Sequence, residues 1–185
     1  MHASSEHHGG SGRIRLSATS LIDGSGLSEE SVSAVHHAHG AAEGMWHTGH
    51  RTPEDARVDG EDGKRATGPG PIADEELTFD LGAAFDLHGA VIWGMNQDDR
   101  KFGVKTFEVW VSEESKGDDF SLVPGGPWTL KQSHSGRSPA GAEHVQFRVE
   151  NVRRVKIDIL TNHAGWQWGK VGLSEVRFLG TASVE

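Results

Sequence analysis

From residue 77 onward, apolar and polar positions alternate with a period of two. Leu77, Phe79 and Leu81 stand against Thr78 and Asp80, and Phe107, Val109 and Val111 against Glu108 and Trp110. Val145, Phe147 and Val149 alternate with His144, Gln146 and Arg148, and Val155, Ile157 and Ile159 with Lys156 and Asp158. In the last segment, 171–180, Val176 and Phe178 share one face while Glu175 and Arg177 share the other. This is the pattern of antiparallel strands with one face on a core. Residues 90–95 (Ala-Val-Ile-Trp-Gly-Met) form a nearly continuous apolar run, as expected of a central strand buried on both faces. Pro124-Gly-Gly-Pro127 and the Ser/Gly/Pro stretch at 133–139 supply turns between strands. Seven or eight short strands separated by turn signals predict an all-β sandwich.

The first third of the chain is less regular. Ile14 and Leu16 alternate with Arg13 and Arg15, predicting a short first strand that runs into an Asp-Gly turn at residues 21–27. Residues 28–35 suit a short helix capped by Ser28. Residues 52–71 are rich in Pro, Gly and acids, and read as a long exposed loop. The expected organisation is one domain over residues 13–180, with residues 1–12 and 181–185 as tails. Neither an internal repeat nor a second, helical domain is apparent.

Charge and composition narrow the partners. The chain of 185 residues has a formal charge of −9 and no basic run interleaved with aromatics. A nucleic-acid partner, which wants a concentrated Lys/Arg face, is therefore not expected. No apolar stretch approaches the ~20 residues of a membrane span, so membrane insertion is not expected. The first ten residues contain no apolar segment of the signal-peptide kind, and read as the edge of a longer protein. With no cysteine, disulfides and thiolate metal sites are excluded.

Several segments in chain order resemble a known family. They are Ile22-Asp-Gly-Ser-Gly-Leu27, Met45-Trp46, Phe79-Asp-Leu-Gly82, Val91-Ile-Trp93 with Asn96, Val104-Lys-Thr-Phe-Glu-Val-Trp-Val-Ser112, Arg154-Val-Lys-Ile-Asp-Ile-Leu-Thr-Asn162 and Gly172-Leu-Ser-Glu-Val-Arg-Phe178. Together these resemble a discoidin domain, the coagulation-factor type C domain with a galactose-binding-like jelly roll, over roughly residues 13–180. The segment between Leu27 and Leu77 is longer than is usual there. The resemblance is nearest to bacterial family-32-like carbohydrate-binding modules. It implies an extracellular or cell-surface domain, monomeric, within a larger polysaccharide-degrading or cell-surface protein.

It also implies two sites. In the family an early Asp-Gly loop and a glutamate of the last strand meet at a structural calcium, which takes six to eight oxygen ligands. Asp23 and Glu175 stand at the matching positions, with Ser25 and the Ile22 carbonyl as helpers. The other reading of the same residues is an Asx-turn at Asp23 and a solvent-facing Glu175. The second site is for an oligo- or polysaccharide, which stacks on an aromatic ring while planar polar groups bind its hydroxyls. The loops 96–102 and 162–168 carry the right residues, and a family-like sandwich puts both at one end. Trp166 or Trp168 is expected as the stacking platform, and Asn96, Arg100, Asn162 and His163 as hydrogen-bonders. Trp46 is a further candidate contact, core packing being its other reading. Trp93, Trp110 and Trp128 are expected to pack.

No catalytic constellation stands out. The chain contains no Gly-x-Ser-x-Gly elbow, His-Glu-x-x-His helix or phosphate loop. Asp98 and Asp99 are adjacent, so on a strand they diverge instead of flanking one bond. His36, His37, His39, His47 and His50 suit adventitious transition-metal binding better than a built site. The expected function is non-catalytic glycan binding, stabilised by calcium. The alternative is a discoidin-type adhesion domain that binds a protein or cell-surface partner.

Overall fold

The structure, a computed structural model, describes residues 2–3, 7–8, 15–16, 22, 46–47, 75–95, 102–131, 141–164 and 171–183. Its strands are β1 (His2–Ala3), β2 (His7–His8), β3 (Arg15–Leu16), β4 (Trp46–His47), β5 (Glu76–Gly94), β6 (Val104–Ser112), β7 (Ser121–Leu122), β8 (Trp128–Thr129), β9 (Ala142–Asn162) and β10 (Gly172–Ala182). The principal sheet has the order β4-β10-β5-β9-β6-β7, with β1 on β5 and β8 on β6, while β2 and β3 pair separately. Among the described residues no helix is long and apolar enough to cross a membrane.

The segments expected as separate strands at 77–81 and 90–95 are one strand, and so are those at 145–149 and 155–159. Their turn-like residues bend the ladder without ending it. Gly82 has φ 78° and Asn151 has φ 55°, both in the left-handed region. The β5–β9 register shifts between Asp80 and Phe85, and again near Leu87 and Gly89. Such shifts insert residues that bend a strand while pairing continues on both sides.

Each side of the bend serves a different flank. Residues 76–80 of β5 pair with 154–158 of β9, and the far edge of β9 there takes β6. Residues 85–93 of β5 pair with 142–152 of β9 on one edge and with β10 on the other. The flanks then face each other. Phe79 meets Phe178 of β10 edge-on, ring centroids 5.1 Å apart. Trp128, beside β6, packs on Phe147 of the opposite flank at 5.9 Å and on Phe107 at 6.1 Å. The result is a sandwich whose core takes Leu77, Phe107, Val109, Val155 and Ile157 from one flank and Ala90, Ile92, Val145, Leu173 and Val176 from the other. Val91 and Trp93 are buried on the reverse face with Ala142 and Leu179, so β5 is covered on both sides as its apolar run predicts.

The chain ends are tied in more closely than the pattern suggests. His2 and Ala3, expected in a tail, pair with Thr78 and Leu77. At the other terminus β10 continues through Ala182, opposite Phe85. Asp86 Oδ1 accepts hydrogen bonds from Ser183 Oγ at 2.6 Å and from the Asn151 amide at 2.9 Å. These bonds, the Ser183 one first, hold the Asp86 carboxyl below the ordinary aspartate range.

Glycine spacing allows the three strands to approach. Gly89 has φ 152°, and a Cβ there would lie 2.5 Å from the Val145 carbonyl oxygen. A Cβ at Gly94 would meet nothing within 4 Å. Gly89→Ala is expected to destabilise the domain by about 2–3 kcal/mol, because β9 backbone must move. Gly94→Ala is expected to cost less than about 0.5 kcal/mol. Urea unfolding of both variants measures the contrast, and equal midpoints would contradict it.

Candidate functional site

One end of the sandwich gathers most of the strand-to-strand connections. At that end Gly94 pairs with Leu173, Trp93 with Ala142, Val104 with Asn162, and Gly172 with His47. Gly103 bridges Gly172 in parallel, and the His163 amide donates to the Gly103 carbonyl at 3.1 Å. The chain therefore leaves the described sheet at 95, 131 and 164 and returns at 102, 141 and 171, all at this end. The opposite end carries the β5–β9 bend and the 113–120 connection. Arg154 holds that connection by donating to the carbonyls of Glu114 and Gly117, each at 2.7 Å, with its guanidinium 4.7 Å from the Phe120 ring centroid.

The predicted sugar-binding residues divide three ways. Asn96, Arg100, Trp166 and Trp168 lie outside the described residues. What the structure supplies for them is the juxtaposition of the strand ends from which their segments depart. Trp46 is a correction: β4 lies on β10, and its indole is 0% exposed within the main core cluster. A ring enclosed in this way cannot stack on a sugar from solvent. Asn162 is also enclosed, at 1% exposure, because it ends β9 opposite the buried Val104. Its side chain belongs to the interior and not to a ligand surface. His163, one residue further, is half-buried at the rim and can present an imidazole nitrogen.

The rim has a definite electrostatic character. Burial, reinforced by the nearby Lys105 ammonium, pushes the His163 pKa below the ordinary histidine range. The imidazole is therefore neutral near pH 7, with one donor and one acceptor nitrogen. Across the same end, the Lys131 amide donates to both oxygens of Glu143, at 2.8 and 2.9 Å. Burial raises the Glu143 pKa, while the Lys131 amide and ammonium pull it back.

The predicted calcium ligands are also divided. Asp23 and Ser25 lie outside the described residues, and the Ile22 side chain is 54% exposed. Glu175 is not the solvent-facing residue of the simpler reading. It is 0% exposed, opposite Trp93, with Oε1 3.7 Å from Arg177 Nε. Arg177 in turn lies over the Trp93 ring at 5.7 Å. The polar face of the last strand is thus covered. Alternation distinguishes the two faces of a strand but does not say that one of them is wet. Among the described residues no group of three or more His, Asp or Glu side chains is placed to hold a metal ion. His36, His37, His39 and His50 lie outside the described residues.

Sequence comparison matches residues 31–172 to the F5/8 type C domain model. The chain belongs to this family, whose domains are non-catalytic binding modules. A search of curated proteins found no match. Among solved structures, the chain is similar to the C-terminal domain of a chitobiase from Bacteroides fragilis, with 13% identity, TM-score 0.59 and coverage of 100% of this chain and 93% of that one. It is also similar to the family 32 carbohydrate-binding module of Clostridium perfringens NanJ in complex with galactose, with 17% identity, TM-score 0.51 and coverage of 96% and 90%. A chitosan-binding module from a Paenibacillus sp. IK-5 chitosanase/glucanase aligns with 13% identity, TM-score 0.52 and coverage of 97% and 92%. At these identities the likeness establishes the jelly-roll fold.

Two outcomes follow from the burial of these residues. Trp46→Ala is expected to cost about 3–5 kcal/mol of unfolding free energy, as removal of a core indole does; a near-native urea midpoint would return Trp46 to the ligand surface. The depressed His163 pKa means that the unfolded chain binds the proton more readily than the folded one. Stability contributed by neutral His163 is therefore lost as pH falls from the ordinary histidine range, ~6.5, towards the lower folded value. Glu143 acts in the opposite sense, gaining stability as pH falls through its raised pKa, so the readout is a difference. His163→Gln is expected to lose less melting temperature than wild type between about pH 7 and pH 5.

Proposed function

We propose that this domain is a carbohydrate-binding module that takes a glycan at the end of the sandwich where the segments 96–101, 132–140 and 165–170 depart. The observation that carries the reading is this convergence, beside a half-buried neutral imidazole. A sugar needs a concave polar rim with an aromatic face and few full charges. The sequence supplies Trp166 and Trp168 as stacking candidates, and Asn96, Arg100 and His163 as hydrogen-bonding candidates. A structural neighbour of the same fold solved with galactose supports the assignment. We place the module outside the cell, where glycans are displayed, as part of a larger polysaccharide-degrading or surface protein.

Calcium is the second part of the proposal. The supporting observation is Glu175, a carboxylate withdrawn from water on the last strand. A buried carboxylate requires compensation by positive charge and hydrogen bonds, and a hard cation bound with Asp23, Ser25 and the Ile22 carbonyl would add to what Arg177 provides. Its role would be to join the early loop to the closing strand.

The test is a glycan and polysaccharide array with calcium present, followed by calorimetric titration of the hits. Trp166→Ala or Trp168→Ala is expected to weaken binding by more than about tenfold, with melting temperatures within about 2 °C of wild type. Full affinity in both variants would rule out stacking on this loop. Chelation by EDTA is expected to lower the melting temperature by several degrees, ~4 °C or more, with Asp23→Ala producing the same shift. An unchanged melting curve in EDTA would exclude structural calcium.

A further inference from the structure

The two flanks share continuous backbone at the bend end, where both β5 and β9 pass from one to the other. From there to the loop end they face each other, held by apolar contacts such as Trp128 on Phe147. At the loop end a side chain also crosses the gap. Glu143 of β9 lies opposite Ile92, a core residue, and is in phase with Val145 and Phe147. Directly opposed residues share a face of the sheet, so Glu143 takes a core-facing position at the end of its strand. Lys131 belongs to the other flank. There Thr129 pairs with Thr106 of β6, and the Leu130 amide donates to the Lys105 carbonyl at 2.8 Å. The next amide, that of Lys131, donates instead to both Glu143 oxygens, at 2.8 and 2.9 Å. One carboxylate thus ties the end of one flank to the end of the other.

A carboxylate is an unfavourable choice for this position on stability alone. Burial pushes the Glu143 pKa up, and the Lys131 amide and ammonium offset that only in part. The ionised form is therefore favoured less in the folded chain than in the unfolded one, so at pH 7 the charge lowers stability. An apolar residue would continue the alternation of Val145 and Phe147 without that penalty. Side chains held against stability in this way mark places where a site needs them. We propose that Glu143 is a positioning residue for the loop end, its carboxylate clasping the Lys131 amide and fixing the spacing of the strand ends there. This rests on the carbohydrate-binding reading above and names a residue that pre-forms its site. Strand ends already at their bound spacing need no ordering when a glycan arrives, and affinity rises accordingly.

Two variants separate the clasp from packing and from charge. Glu143→Met keeps an apolar stem of similar length but offers no comparable acceptor, whereas Glu143→Gln keeps an acceptor oxygen without the charge. Amide hydrogen exchange on the full chain reads the clasp without any glycan. The Lys131 amide is expected to exchange at least about fivefold faster in the Met variant than in wild type or the Gln variant, with the Leu130 amide unchanged in all three. Calorimetric titration with a galacto-oligosaccharide and a chitosan oligosaccharide then reads the site. The Met variant is expected to bind at least about fivefold more weakly than wild type and the Gln variant within about twofold. Neither is expected to melt more than about 2 °C below wild type at pH 7. Unchanged Lys131 exchange in the Met variant, or equal loss of affinity in both variants, overturns the clasp. Faster exchange with full affinity, or affinity lost only together with several degrees of melting temperature, overturns the positioning role and leaves carbohydrate binding intact. No binding of any probe here or on the array overturns both.

Discussion

The ladder between β5 and β9 is the constraint on which the rest of the molecule depends. It pairs residues 76–93 with 142–158 through a bend, so a single strand pair belongs to both layers of the sandwich. β6 is added to β9 beyond the bend, and β10 to β5 likewise beyond it, so the two join opposite flanks. Any slip by one residue would turn Leu77, Phe79, Val155 and Ile157 out of the core together, because strand faces alternate with a period of two. The bulges prevent that slip by fixing where the extra residues go. Gly89 is the tightest of these points, since only a residue without a side chain lets β5 approach the Val145 carbonyl.

Polar groups buried around this frame hold the connections in place. Arg154 secures the 113–120 segment through two of its carbonyls and through the ring of Phe120, the segment's own half-buried anchor. On the outer face, Lys156 lies over both Trp110 and Phe120 and 3.4 Å from Glu76. A half-exposed pair of this kind contributes little by charge alone, and its value lies in covering the rings. Glu175 and Arg177 do the equivalent on the reverse side of the last strand, beside Trp93.

The consequence for function is a division of labour between the ends. The bend end is fastened by hydrogen bonds from Ser183, Asn151 and Arg154 and has little freedom to adapt. At the other end the strands terminate and hand over to connecting segments, the arrangement by which a rigid scaffold presents recognition residues.

Much of this was legible along the chain. The strand positions, the apolar run of β5 and the packing roles of Trp93 and Trp128 follow from periodicity, which is a local property of the backbone. The family resemblance rests on short segments whose order survives without any one of them being diagnostic. Periodicity could not reveal that Gly82 and Asn151 bend strands instead of ending them, since a bulge and a turn use the same residue types. It could not place Trp46 and Asn162 in the interior, nor show that Glu175 is covered, because burial depends on which distant strand lies alongside. The grouping at the rim of the loop end was equally invisible. Lys105, Lys131 and His163 are far apart in sequence, and only the pairing of neighbouring strands brings them to one end.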